Sequence, residues 1–265
     1  MKTILICTLI VALPNLFFLS ADQPIMNEVP RWDGGYGFQV FSESRSSKDL
    51  KFHNNKLDNP NNNHYRKHIT HLEGVYTWTK WIRLTVKIPW VQQSKKLLNV
   101  EESNQGFSDI KLALPLRHYY NEDGYSGHYG IVPQIRFGGD NKGLHKISDG
   151  STDPGFSFTF EKETANLKLS ADVTYWIETH SQKDDEWSID TTLGWNYHDR
   201  GALKLETELV NTDQNEWIGM GPTFFWNFND CMMTRFEYKF ALKDTLKKVG
   251  LARGDSLRIG LGFVF

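Results

Sequence analysis

The sequence predicts an all-β fold, a transmembrane, antiparallel, up-and-down β-barrel of about twelve strands. The first observation is a period-two alternation of apolar and polar residues through most of the chain. The second is that no apolar run after Ala21 could cross a bilayer as a helix, although the chain holds 9 Trp, 10 Tyr and 17 Phe. The third is that short connections alternate with long polar ones along the chain. A barrel explains all three, because only every second strand residue must be apolar.

The chain begins with the pattern of a secretory signal peptide. A basic residue is followed by an almost wholly apolar run over Thr3–Phe18 and by small residues before a cleavage site after Ala21. The alternative is an N-terminal membrane anchor, but the apolar run is short and is interrupted at Pro14. We therefore expect a cleaved signal peptide over residues 1–21 and a single barrel domain over residues 22–265.

The predicted strands follow one another as alternating segments. The pattern is clearest in Ile82–Trp90, where Ile, Leu, Val, Ile and Trp face one way and Arg, Thr, Lys and Pro face the other. Segments near 35–44 and 67–78 show it more weakly. In chain order the clear segments are 82–90, 109–117, 128–137, 156–161, 167–178, 187–197, 203–209, 218–228, 235–242 and 255–265.

The residues on the polar face of the predicted strands change in type along the chain. Basic residues dominate this face in 82–90, 109–117 and 128–137, and hydroxyl residues with Glu161 occupy it in 156–161. Acidic residues dominate it in the next three segments, Gly and Asn in 218–228, and both signs of charge in 235–242.

The last segment, 255–265, alternates Leu, Ile, Leu and Phe with Ser, Arg and Gly and ends on Phe265. The final strand of an outer-membrane barrel carries a lipid-facing aromatic residue at the membrane edge, whereas an ordinary half-buried edge strand is the alternative. We expect the barrel-assembly machinery to recognise this strand through Phe265.

The connections indicate how such a barrel is oriented. Short ones fall near 79–81, 121–126, 163–165, 198–201 and 229–231, and long polar ones at 45–66, 94–106, 139–152, 179–186, 211–216 and 243–254. Short periplasmic turns and longer outer loops are typical of outer-membrane barrels, whereas a β-sandwich has no need of this alternation. Two aromatic girdles are expected, with Trp78, Trp81, Tyr119, Tyr120, Tyr197 and Phe228 on the periplasmic side and Trp90, Trp187 and Trp217 on the outer side.

Inward-facing charged residues are the candidate pore lining. The basic members precede the acidic ones along the chain, so two arcs of opposite charge are expected across the lumen. One alternative is a water-filled pore with a transverse field, and the other is a lumen closed by mutual salt bridges. The candidates are Arg83, Lys87, Asp109, Lys111, Arg117, Arg136, Asp172, Glu178, Asp190, Glu206, Glu208, Arg235 and Arg258.

Several short motifs resemble a known family. They are Gly106–Ile110 with Leu112 and Arg117, then Pro133–Arg136, Asp149–Gly155, Glu237–Phe240 and Arg253–Gly254. Over roughly residues 105–265 the chain resembles the outer-membrane transporters of the MetA-pathway phenol-degradation family. The resemblance implies a barrel that passes small molecules, including aromatic compounds, and assigns no binding residue. One departure is Phe137–Asp140, where family members often have a Pro-Thr-Gly stretch.

No catalytic, cofactor or metal site is expected, and the protein is not predicted to be an enzyme. Nucleophile-elbow, phosphate-loop and zinc-protease motifs are absent, as is a His followed closely by Ser and Asn. His64, His68 and His71 would share a helix face, but on the predicted strand His68 and His71 point to opposite sides.

The expected function is passive diffusion of small solutes through the outer membrane of a Gram-negative-type bacterium. Few inward residues are apolar, chiefly Val132, Trp176, Val210 and Val264, which favours polar or amphipathic solutes over hydrocarbons. The alternatives are a structural or surface-interaction barrel with a closed lumen and, less strongly, a lipid hydrolase. Expected partners are outer-membrane lipid and lipopolysaccharide besides the solute. The formal net charge of −2 implies no nucleic acid.

Overall fold

The computed structural model describes residues 33–97, 100–122, 124–140, 147–180, 183–198 and 200–265. The signal peptide predicted over 1–21 lies outside the described residues. Among them, no helix is long and apolar enough to span a membrane. The strands are β1 (Tyr36–Ser47), β2 (Leu50–His53), β3 (Asn55–Leu57), β4 (His64–Thr79), β5 (Ile82–Leu97), β6 (Val100–Phe107), β7 (Ile110–Ala113), β8 (Leu116–Glu122), β9 (Tyr125–Phe137), β10 (Thr152–Glu163), β11 (Leu167–Trp176), β12 (Glu186–His198), β13 (Gly201–Asn211), β14 (Asn215–Asn227), β15 (Met232–Leu251) and β16 (Asp255–Val264).

These strands form one closed antiparallel barrel of 12 strands, which confirms the predicted fold. Neighbours in sequence pair with one another, and β1 pairs with both β4 and β16, so the sheet has no free edge at that point. One position is shared by β6, β7 and β8, which all pair with β5. The β2–β3 hairpin extends the sheet beyond the barrel by pairing with β15.

The two faces of the wall have opposite character. The outer face exposes large apolar side chains around the barrel, whereas the inner face encloses Arg, Lys, Asp, Glu, Ser and Thr. A water-facing surface rarely exposes so continuous an apolar area, but a bilayer solvates it well. The exposed apolar residues include Phe38, Val40, Leu72, Tyr129, Ile131, Phe156, Phe158, Phe160, Leu169, Leu193, Trp195, Leu203, Leu205, Phe224, Phe236, Phe240, Ile259 and Leu261.

Short connections join the strands at one end of the barrel, here called the turn end, and longer connections join them at the other, the loop end. Several loop-end segments that the sequence predicts as loops are in fact continued strand. β5 and β6 form a hairpin across residues 94–106, β15 continues to Leu251, and β13 and β14 are joined by a short turn at 212–214. Beyond the apolar belt both faces of a hairpin are polar, as where Lys95 pairs with Glu102, so the alternation disappears while the strand continues.

Phe265 closes the ladder between the first and last strands. Its backbone N–H donates to the Tyr36 carbonyl at 2.8 Å, and its own carbonyl accepts from Tyr36 N–H at 3.0 Å. Its ring is exposed on the outer face and stacks on Tyr36 with a centroid separation of 5.5 Å. The residue therefore contributes to closure through both its backbone and its ring.

Removing Phe265 is expected to lower the amount of folded barrel in the membrane, because both hydrogen bonds and the ring contact are lost. The measurement is the fraction of protein that migrates as the compact species on unheated gels. Cys231→Ser is the control, since the Cys231 thiol is exposed and forms no disulfide within the described part of the chain. Full yield without Phe265 would contradict this role.

Candidate functional site: the barrel lumen

The structure places all thirteen candidate lining residues inside the barrel wall. Most are buried on the inner face, and the Glu178 side chain is enclosed just beyond the end of β11. Asp109 and Lys111 face a central cavity of about 390 Å³. One side of this cavity has apolar residues, namely Pro89, Val91, Ala113, Pro115, Val132 and Trp176.

A dense set of ion pairs covers the wall formed by β13 to β16 and β1, and we call it the ion-paired wall. Its carboxylates and cations alternate, so that almost every charge touches two of opposite sign. The pairs are Glu43–Arg258 at 3.0 Å, Glu237–Arg258 at 3.2 Å, Glu237–Lys239 at 3.1 Å, Glu237–Arg235 at 2.6 Å, Glu206–Arg235 at 2.8 Å, Glu208–Lys239 at 3.0 Å and Glu208–Arg253 at 3.0 Å.

Glu237 is the centre of the ion-paired wall. It is 0% exposed and accepts charge-assisted contacts from Arg235, Lys239 and Arg258. Burying one carboxylate among three cations is tolerable only because each cation has a further acidic partner, such as Glu208 for Lys239. The charges of this wall therefore neutralise one another and hold the strands in register, while Glu43, Glu208, Arg253 and Arg258 also border the central cavity.

Arg136 borders the central cavity and is also engaged by three carboxylates. Its guanidinium pairs with Asp153 at 2.9 Å, with Glu186 at 2.6 Å and with Glu178, and it lies over the Trp176 ring at 4.9 Å. Three carboxylates neutralise it, so it adds little positive field to the lumen. Strand parity correctly predicts that Arg136 points inward, but its partners come from other strands and loops.

A second contact links two connections at the loop end. Lys183 pairs with Asp149 at 2.6 Å, and Ser151 also donates to Asp149. Burial alone would raise the pKa of Asp149, but the bonds from Lys183 and Ser151 outweigh it and hold the pKa below its usual value. The Lys183–Asp149 ion pair is therefore fully formed at a pH above the ordinary aspartate pKa. It weakens as the pH falls through the lowered pKa of Asp149.

The two predicted arcs of charge are present only in part. Lys87 is paired with Glu73 at 3.0 Å, Arg136 is neutralised, and Glu206 and Glu208 belong to the ion-paired wall. Of the other candidates, Arg83 and Arg117 lie on adjacent strands on one side of the lumen. On the other side Asp172 and Asp190 face each other across β11 and β12.

The sequence missed several inner polar residues on β1 and β4. Gln39, Glu43, His71 and Glu73 are all buried inside the barrel. These strands carry some apolar residues inside, such as Phe41, and some small or polar ones outside, such as Ser42 and Thr70, so their alternation is weak. Glu237 and Lys239 have the inward parity in the sequence but were not predicted as pore-lining residues.

The girdle predictions for Trp217 and Tyr119 are wrong. Trp217 is 0% exposed inside the barrel, with the Arg253 guanidinium 4.0 Å from its ring, and it shares the inward parity of Gly219. A Cβ at Gly219 would lie 2.0 Å from this ring, so only glycine leaves room for it. The Tyr119 ring faces His128 across the lumen side of the wall at 5.4 Å.

The lumen also holds more apolar residues than the sequence analysis recognised. Val132, Trp176, Val210 and Val264 do lie inside, as predicted. A buried apolar cluster occupies the turn end, and further apolar residues line the middle. The additional residues are Phe41, Ile69, Val75, Val91, Ala202, Trp217, Phe225 and Met233. The lumen is therefore amphipathic rather than uniformly polar.

The three histidines near the start of β4 do not converge. His71 is buried in the lumen beside Glu43, whereas His68 is exposed on the opposite face, as the strand parity predicts. In the described ranges no three His, Cys, Asp or Glu side chains are grouped so that they could hold a metal ion.

A closed sheet with an apolar outside and a charged inside defines an outer-membrane β-barrel. The chain belongs to the family described as Putative MetA-pathway of phenol degradation, whose model matches residues 35–259. The match covers the strands β1 and β4, which the motif resemblance over 105–265 did not reach. No curated protein matches the sequence.

Solved structures share the fold at low sequence identity. An outer membrane channel from Pseudomonas putida F1 aligns over 93% of this chain and 100% of its own, with a TM-score of 0.74 and 13% identity. The KdgM porin, solved in complex with disordered oligogalacturonate, aligns over 86% and 99%, with a TM-score of 0.54 and 8% identity. The NanC porin aligns over 85% and 98%, with a TM-score of 0.50 and 11% identity.

Glu237→Gln is expected to destabilise the folded barrel by about 3–5 kcal/mol, because it leaves three buried cations short of a counter-charge. Glu216→Gln is the matched control. Its carboxylate pairs with Lys243 at 2.7 Å on the partly exposed loop end, and its loss should cost no more than about 1 kcal/mol. Urea unfolding of the barrel in lipid vesicles measures the free energy of unfolding of both variants. Equal effects of the two substitutions would contradict the importance of the ion-paired wall.

Proposed function

We propose that the protein is an outer-membrane channel that passes small polar or amphipathic solutes by passive diffusion. The observation that carries this proposal is the cavity of about 390 Å³ beside the ion-paired wall. The charges of that wall are satisfied by one another, so they do not need to reach across and fill the lumen. The opposite side offers both apolar and charged groups, which suits an amphipathic solute.

The comparisons support a channel rather than an enzyme. The similar structure from Pseudomonas putida F1 is an outer membrane channel, and KdgM is a porin. The family description refers to phenol degradation, which supports aromatic compounds among the solutes. We accordingly propose transport without catalysis.

The proposed location in the outer membrane rests on the exposed apolar belt, which needs lipid as its solvent. Lipopolysaccharide would then surround the loop end. Phe265, exposed at the turn end of β16, supports recognition by the barrel-assembly machinery. The competing proposal is a structural or surface-interaction barrel with a closed lumen, and the apolar cluster at the turn end favours it.

Conductance in planar bilayers separates an open channel from a closed barrel, and ion selectivity tests the lumen charges. Arg83→Gln with Arg117→Gln should shift the reversal potential toward cation selectivity, because the basic pair raises the local anion concentration. Asp172→Asn with Asp190→Asn should shift it the opposite way. Each permeability ratio should change at least about twofold at low salt and less near 1 M, where screening shortens to ~3 Å.

A conducting parent whose reversal potential moves in neither double variant would refute the placement of these charges along the pathway. A parent that never conducts in bilayers would favour the closed, structural barrel instead.

A further inference from the structure

We propose that the lumen contains a binding site for a small organic anion, a carboxylate on an apolar body, centred on Arg117. This proposal rests on the channel function proposed above and deepens it by naming the class of solute.

Arg117 is a buried cation that no carboxylate among the described residues neutralises. It is 5% exposed and lines the central cavity. Its Nε–H is buried without a hydrogen-bond partner, and within the described part of the chain no carboxylate pairs with its guanidinium. Arg136, Arg253 and Arg258 each contact a carboxylate. Because a buried charge is costly when unpaired, the counter-charge of Arg117 is best supplied by a ligand.

Further donors lie beside Arg117. Arg83 is its diagonal neighbour, since Arg117 N–H donates to the Trp81 carbonyl at 3.1 Å and Arg83 N–H donates to the Pro115 carbonyl at 3.3 Å. The side chains of Arg83 and Arg117 therefore point into the lumen from adjacent strands. Thr85 is the next inward residue on β5, lines the same cavity, and has a buried Oγ1 without a hydrogen-bond partner. Arg83 Nε donates to Thr77 Oγ1 at 3.0 Å, so Arg83 adds positive charge beside the site, whereas the Arg117 guanidinium and the Thr85 hydroxyl are the donors offered to a carboxylate.

The neighbouring carboxylates are engaged elsewhere and do not compete for this position. Glu73 pairs with Lys87 at 3.0 Å. Glu161 pairs with Lys168 at 3.0 Å and lies 3.6 Å from His128.

The residues that line the cavity beside Arg117 also indicate the chemistry of the rest of the ligand. Ala113, Pro115 and Val132 form an apolar strip next to Arg117, and the strip continues to Trp176. Lys111 and Arg136 lie 5.1 and 4.9 Å from the centre of the Trp176 ring. An inorganic anion would satisfy the charge of Arg117 but would leave this strip uncovered. A single-ring carboxylate such as benzoate covers both parts.

The test is isothermal titration of the detergent-purified barrel with benzoate and with benzyl alcohol, which has the same ring but no charge. Benzoate should bind saturably and more tightly than benzyl alcohol. Arg117→Gln should weaken benzoate binding about tenfold or more, Arg117→Lys less, and Thr85→Val by a few-fold, in line with the strength of charged and neutral hydrogen bonds. Arg66→Gln is the matched control, because Arg66 is exposed on the outside of β4.

Equal binding of the two compounds, or unchanged benzoate affinity in Arg117→Gln and Thr85→Val, would overturn the proposal. If Arg117→Gln does not fold, Arg117→Lys and Thr85→Val decide the matter, because both keep the size of the side chain. Conductance of the same preparations separates the two proposals. Arg117-dependent binding to a non-conducting barrel keeps the site and removes the channel, whereas conduction without such binding keeps the channel and removes the site.

Discussion

Closure of the sheet is the constraint on which the rest of this structure depends. In a bilayer each backbone N–H and C=O needs a partner within the protein, and only a closed barrel gives every strand two neighbours. The pairing of β1 with β16 supplies the last of these partners. Once the sheet is closed, every second side chain points into a narrow lumen, where charged groups have little water and must be neutralised by one another or by a solute.

The inner charges meet this requirement in two ways. Along β13 to β16 and β1 they pair among themselves around Glu237. On the side of β5 and β8, Arg117 has no such partner among the described residues and faces a cavity with an apolar strip. The lumen is therefore asymmetric, with a structural side and a side suited to a passing amphipathic solute. The same division explains why a charged lining need not mean a plugged barrel.

Period-two alternation predicts the fold and the inward direction of residues such as Arg83 and Asp190, because both depend on local strand geometry. It does not predict which charged residues pair with one another. Arg136 is matched with Asp153, Glu178 and Glu186 only after three strands and one loop come together. β1 and β4 gave a weak signal because Phe41 is apolar and yet inward. The girdle prediction for Trp217 is wrong because a residue near a strand end can point either to the lipid or into the lumen.

We propose that solutes pass along the β5–β9 side of the lumen and do not penetrate between the ion pairs of the opposite wall. Cysteine accessibility tests this most directly, in a Cys231→Ser background on intact cells. Ala113→Cys lines the cavity and should react quickly with a small, water-soluble, membrane-impermeant thiol reagent. Ser256→Cys, on the inner face of β16 at a site that is 1% exposed, should react far more slowly. Equal rates at the two positions, or no reaction of Ala113→Cys, would contradict the account.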